Sequence, residues 1–155
     1  MRQSPIVKPV GSAHVLLVDD SRDGLLARKA VLQEQGFVIT TATNGEEAFE
    51  AFTKGKFDLM VTDYRMPKMN GVELIRRVRP LQPALAIILI SGFTEALGLD
   101  EKSTGADVVM NKGAHEVPHL LRAASRLLAR KSARRPPASQ KAARTTNLKA
   151  KGKSA

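Results

Sequence analysis

The sequence predicts an open α/β fold made of five successive βα units. Short apolar runs rich in Val, Ile and Leu recur with little polar alternation, which suits strands covered on both faces, as in a parallel sheet. Between the runs lie stretches long enough for crossover helices, several with recognisable cap residues. The polar residues able to do chemistry fall just after the runs, at the carboxyl edge where open α/β sheets hold their ligands.

Each element has its own reason. The first run, His14–Val18, ends at Asp19-Asp20, and a helix from about Ser21 to Gln35 follows, stopping at Gly36, a residue suited to a left-handed cap. After the second run, Phe37–Thr41, either Thr43 or Asn44 can cap a helix that carries Glu46 and Glu47 in its first turn and ends at Gly55. The third run, Phe57–Thr62, ends in Asp63, and a helix from about Gly71 to Arg79 terminates before Pro80. The fourth, Leu85–Ile90, ends in Ser91; the interval after it, Thr94–Thr104, contains Gly98 and has the weakest helical pattern. The fifth, Asp107–Met110, ends in Asn111-Lys112, and a last helix from about Val117 to Arg130 sets Leu120, Leu121, Ala124, Leu127 and Leu128 on one face.

Composition narrows the class. A chain of 155 residues is long enough for one domain with a real core, and the absence of cysteine excludes a disulfide scaffold and any thiolate metal site. The longest apolar run, Ala84 to Ile90, has seven residues, far short of the ~20 that span a bilayer. The first residues hold Pro5, Lys8 and Pro9 and no apolar stretch of the kind a secretory signal needs, so a cytoplasmic location is expected. The net charge of +10 is unevenly placed: residues 1–129 carry +1, residues 130–155 carry nine cations and no acid. The expected organisation is a flexible N-terminal segment at 1–11, a folded domain at 12–130 and a disordered basic tail at 131–155, whose composition cannot bury enough surface to offset chain entropy.

Asp19, Asp20, Asp63, Ser91 and Lys112 thus meet at one sheet edge: three carboxylates, a hydroxyl and an ammonium. Singly, an Asp after a strand is commonly the cap of the next helix. Together, three carboxylates repel one another unless a cation neutralises them, and an oxygen-only set favours a hard ion, Mg²⁺ or Mn²⁺. A lysine opposite offers a point charge for a phosphoryl group, and a carboxylate can be the nucleophile that forms an aspartyl-phosphate.

Asp19-Asp20, the run Asp63-Tyr-Arg-Met-Pro-Lys-Met-Asn-Gly71, Ser91 and Gly105-Ala-Asp…Lys112 resemble the receiver domain of two-component response regulators over about residues 12–130. The resemblance implies a flavodoxin-like fold with strand order 2-1-3-4-5. It also implies that Asp63 accepts a phosphoryl group from a histidine kinase or phosphotransfer protein. Asp19, Asp20, Asp63 and the backbone carbonyl of Arg65 would then hold Mg²⁺ (or Mn²⁺), while Ser91 and Lys112 would contact phosphoryl oxygens. Such a domain is a signalling switch with intrinsic phosphoryl-transfer and slow hydrolysis chemistry, not a metabolic enzyme. With no folded output domain in the sequence, it would act alone, as a monomer or a phosphorylation-dependent dimer, through a downstream protein target.

Two positions depart from the family pattern. Val109 stands where an aromatic ring usually swings, and Gly113 stands where a proline usually follows the lysine, so a trans bond is expected there. Phe93, two residues past Ser91, is a candidate replacement ring.

Three competing readings can be weighed. His115-Glu116-Val117-Pro118-His119 satisfies the H-E-x-x-H pattern, but Pro118 opposes a continuous helix through both histidines, and no third ligand follows. A phosphohydrolase of the haloacid dehalogenase type needs Asp-x-Asp where this chain has Asp19-Asp20-Ser21. Nucleic acid could bind the basic tail, with Arg122, Arg126 and Arg130 leading into it along the last helix; no aromatic residue in the tail can stack on bases.

Overall fold

The computed structural model describes residues 13–92 and 97–134, with side chains as far as Lys131. Five strands, β1 (His14–Val18), β2 (Val38–Ala42), β3 (Leu59–Asp63), β4 (Ala86–Ser91) and β5 (Val108–Asn111), form one parallel sheet in the order β2-β1-β3-β4-β5, the flavodoxin-like order. The helices are α1 (Arg22–Glu34), α2 (Gly45–Lys54), α3 (Gly71–Val78), α4 (Glu101–Thr104) and α5 (Glu116–Arg134).

Alternation along the buried strands splits the core into two layers. Val15, Leu17, Leu59, Val61, Ile88, Ile90 and Met110 point to one side and pack on Leu25 and Leu32 of α1 and Leu120, Ala124, Leu127 and Leu128 of α5. Leu16, Val18, Met60, Ile87 and Leu89 point to the other and pack on Ala48 and Phe52 of α2 and Leu74, Ile75 and Val78 of α3. Both faces are covered, which is why these strands read as nearly unbroken apolar runs. Truncating one of the fully buried leucines, such as Leu17 or Leu89, costs about 2–5 kcal/mol, transfer and cavity terms together.

Side chains terminate the helices much as their chemistry dictates. Ser21 caps α1 and accepts from the Gly24 N–H, Asn44 caps α2, and Asn70 with Glu73 makes a reciprocal capping box at the start of α3. Thr43, the other candidate for α2, instead donates its N–H and hydroxyl to Glu47 and holds that carboxylate below its usual range. Gly36 has φ 95° after α1.

Several boundaries differ from expectation. Strands β2 to β5 each end one residue later, so Asp63, Ser91 and Asn111 belong to the sheet: Asp63 pairs with Ile90, and Ser91 with Asn111. Polar side chains had marked these as loop, but their backbones continue the ladder. Within Thr94–Thr104 the described residues from Gly98 onward hold the single turn α4: Gly98 takes φ 66° and the turn begins at its own cap, Asp100. The last helix begins at Glu116 and runs through Arg134, so residues 131–134, expected in the tail, are helical. Lys131 is held there by Asp58, whose carboxylate is 3.9 Å from its ammonium. Residues 1–12 and 135–155, and with them the expected N-terminal segment and the rest of the tail, lie outside the described residues. No helix among the described residues is long and apolar enough to cross a membrane.

Candidate functional site

The crevice opens at the carboxyl ends of β1, β3, β4 and β5. Asp19 follows β1 directly and extends its ladder, its N–H donating to the Ala42 carbonyl at 3.2 Å. Its side chain is buried and both oxygens have partners: Oδ1 accepts from the Ser21 N–H at 2.9 Å, and Oδ2 accepts from Nη1 of Arg28. Asp20, one residue on, is exposed. Gly24 is required by this arrangement, because a Cβ there would stand 2.5 Å from Asp19 Oδ2.

Asp63 closes β3 with 3 % of its surface exposed. Lys112 Nζ lies 2.8 Å from its Oδ1 in an ion pair, and that buried oxygen has no further donor. Burial pushes the Asp63 carboxyl above its usual range; Lys112 opposes that shift, the Asp19 charge adds to it, and Arg28 opposes it. Ligand oxygens of Asp19, Asp20 and Asp63 all lie within 4.8 Å of one another. Three carboxylates offering only oxygen donors, two of them buried, fit a hard divalent cation.

The remaining predicted residues are on the same edge. Ser91 is buried at the end of β4, and its carbonyl accepts from the Lys112 N–H at 3.0 Å, which fixes the lysine's starting point. Arg65 is exposed, two residues past Asp63. The loop after it is shaped by a γ-turn: Lys68 has φ 69° and the Met69 N–H donates to the Pro67 carbonyl at 2.7 Å. Gly71 then folds back onto β3, donating to the Tyr64 carbonyl at 2.8 Å. A Cβ at Gly71 would come within 2.5 Å of the Asp63 carbonyl, so any side chain there would displace the backbone of Asp63.

Val109 is half-buried against the α3 side of the core, its N–H donating to Glu101 Oε2 at 3.0 Å. Gly113 has φ 155°, and no cis peptide bond occurs among the described residues. Phe93 lies outside the described residues. In the H-E-x-x-H stretch, His115 precedes the helix, Pro118 sits in its first turn, and Glu116 is engaged by Arg28 Nε at 2.5 Å. Arg122, Arg126 and Arg130 are exposed on α5.

Arg28 and Glu116 are the site residues that the sequence did not disclose. Arg28 lies on the inner face of α1 between Leu25 and Leu32, all three buried. That spacing was the available signal: a charged residue on an otherwise apolar helical stripe needs a buried partner. Burial pulls the guanidinium down, but Glu116 and then Asp19 outweigh it, and its net shift is upward.

A doubly wound parallel sheet with an acidic, lysine-bearing crevice at its carboxyl edge defines a flavodoxin-like protein suited to bind a cation together with an anion. The family model described as response regulator receiver domain matches residues 15–124. The chain belongs to that family, the receiver domains of two-component systems. It is 34% identical over 102 residues to the response regulator receiver protein CpdR of Brucella abortus, covering 65% of this chain and 85% of that one. It is 37% identical over 87 residues to the sensor kinase CckA of the same organism, covering 55% of this chain but 9% of the kinase. Among solved structures, response regulator TrrA of Thermotoga maritima in complex with Mg²⁺ and BeF superposes with a TM-score of 0.68 at 32% identity, covering 74% of this chain and 98% of that one.

Proposed function

We propose that Asp63 is a phosphoacceptor. One of its carboxylate oxygens attacks the phosphorus of a phosphohistidine on a kinase or phosphotransfer protein, the P–N bond breaks, and the imidazole leaves. The observation that carries this is the buried Asp63 carboxylate with Lys112 Nζ at 2.8 Å and the oxygens of Asp19 and Asp20 within 4.8 Å.

Asp20 and Asp63, with Asp19 and the backbone carbonyl of Arg65, would hold Mg²⁺ or Mn²⁺. The Thermotoga relative crystallised with Mg²⁺ and BeF supports that ligand class. A bound divalent ion supplies charge neutralisation for the transferred oxygens. Lys112 adds a second positive charge, and the Ser91 hydroxyl donates to a phosphoryl oxygen. Burial of Asp63 raises the energy of its free carboxylate, so charge-balanced surroundings are needed before it can attack. Asp19 is not the acceptor: both its oxygens are engaged, one by a buried guanidinium. The phosphorylated chain would signal by altered affinity for a downstream protein.

The test is incubation with Mg²⁺ and acetyl phosphate followed by intact mass. A single phosphoryl gain that disappears in Asp63→Ala is the expected result; a gain that survives Asp63→Ala and is lost in Asp19→Ala would transfer the acceptor role.

A further inference from the structure

Arg28 projects from the inner face of α1 into the floor of the crevice, where it is 5 % exposed. Its guanidinium forks. Nη1 donates to Asp19, and Nε donates to Glu116 at 2.5 Å, 88 residues away on the first turn of α5. The acceptors are themselves sheltered, with side-chain exposures of 1 % for Asp19 and 15 % for Glu116. A planar, permanently charged fork held between two carboxylates is a rigid connector, since moving either end strands the other in a place where water cannot compensate it.

Asp19 also belongs to the three carboxylates that face the crevice. A divalent ion drawn to them meets a positive charge already seated on one of the three, while Glu116, from the far side of the guanidinium, partly cancels that charge. We propose that Arg28 is a positioning residue that serves as the pocket's resident cation: it fixes Asp19, competes with an incoming divalent ion for it, and through Glu116 ties ion occupancy to the first turn of α5. This rests on the crevice binding a divalent cation. As Asp19 is drawn toward the ion, the hold of Arg28 on it weakens and its hold on Glu116 strengthens. By linkage, what the ion does to the α5 turn, the α5 turn does to ion affinity.

Signs distinguish this from a merely structural ion pair. Removing Arg28 deletes the competing charge, so Arg28→Gln tightens ion binding, by about tenfold. Removing the Glu116 charge leaves Arg28 uncompensated beside Asp19, so Glu116→Gln weakens binding by about threefold. In Arg28→Gln/Glu116→Gln the second change has lost its route, and affinity stays near that of Arg28→Gln.

Isothermal titration of the full chain with Mg²⁺ alone, without phosphoryl donor, measures all four affinities; hydrogen exchange at the His119 amide, which donates to the His115 carbonyl at 3.2 Å, reports the turn. Opposite shifts in the single variants, a near-null second step in the double, and a Mg²⁺-dependent change in His119 exchange that vanishes in Arg28→Gln support the proposal. Equal affinities in all four proteins overturn it while leaving the acidic crevice intact, and an undiminished Glu116 effect without Arg28 overturns the connector role. Should Arg28→Gln fail to fold, unchanged affinity in Glu116→Gln overturns it alone. No Mg²⁺ binding by any of them overturns the cation site itself, and this proposal with it.

Discussion

Two basic residues address two carboxylates of the same crevice, and they do so in opposite ways. Lys112 reaches Asp63 from the open side, with 40 % of its side chain exposed; Arg28 reaches Asp19 from inside the core, with 7 % exposed. The lysine is a point charge on a flexible stem, free to follow an incoming anion. The arginine is anchored at both ends and cannot leave without stranding a buried carboxylate. Accessibility thus separates the half of the crevice proposed to react from the half that holds it in shape, although both use the same kind of ion pair.

That contrast can be broken by substitution. The largest effect is expected from Asp63→Asn, which abolishes phosphoryl incorporation from acetyl phosphate, read by intact mass. Next comes Arg28→Met, which leaves Asp19 and Glu116 without their shared partner and lowers stability by about 3 kcal/mol in urea titration. Lys112→Ala should cost about tenfold to a hundredfold in labelling rate and lower the urea midpoint less than Arg28→Met, since it removes one partner from one buried carboxylate and not the shared partner of two; a destabilisation matching Arg28→Met would erase the distinction.

A smaller effect concerns pH. Because burial raises the Asp63 carboxyl above its ordinary value of 3.8, its ionisation opposes folding. The cost is absent below the unfolded-chain value and grows as pH rises through the raised folded-state value. In EDTA, Asp63→Asn should therefore be more stable than the parent at pH 7, with the gain shrinking toward pH 4. A gain independent of pH would mean that the amide simply packs better. The smallest effect serves as a control: Lys54→Ala removes an exposed ion pair to Glu50 on α2 and should change stability by less than about 0.5 kcal/mol.

The half of the crevice proposed to react was legible in the sequence and the supporting half was not, for one physical reason. Asp19, Asp20, Asp63, Ser91 and Lys112 each follow an apolar run, so a strand pattern and a parallel topology suffice to gather them. Arg28 and Glu116 are joined only when α1 and α5 pack side by side on one face of the sheet. Nothing local in Arg22–Glu34 or Glu116–Arg134 encodes that pairing beyond the odd charge between Leu25 and Leu32. The strand ends were misjudged by one residue for a related reason: polarity marks where side chains meet water, while the ladder follows backbone pairing, and Asp63 and Ser91 do both. The length of α5 was misjudged because basic composition suggested a tail, whereas Lys131 still finds Asp58.

The 19 residues of α5 give it a length of about 28 Å, more than any strand it lies against. Its first turn grips Arg28 beside the crevice, and near its other end Lys131 touches Asp58, just before β3 begins. The helix is therefore a connecting rod laid across the full depth of the sheet, one end bearing on the site of chemistry and the other on the opposite rim. The run of basic residues from 135 onward is attached to that far end. A shift of Glu116 of the kind proposed for ion binding at Asp19 would be carried along this helix toward the residue from which that cationic segment continues.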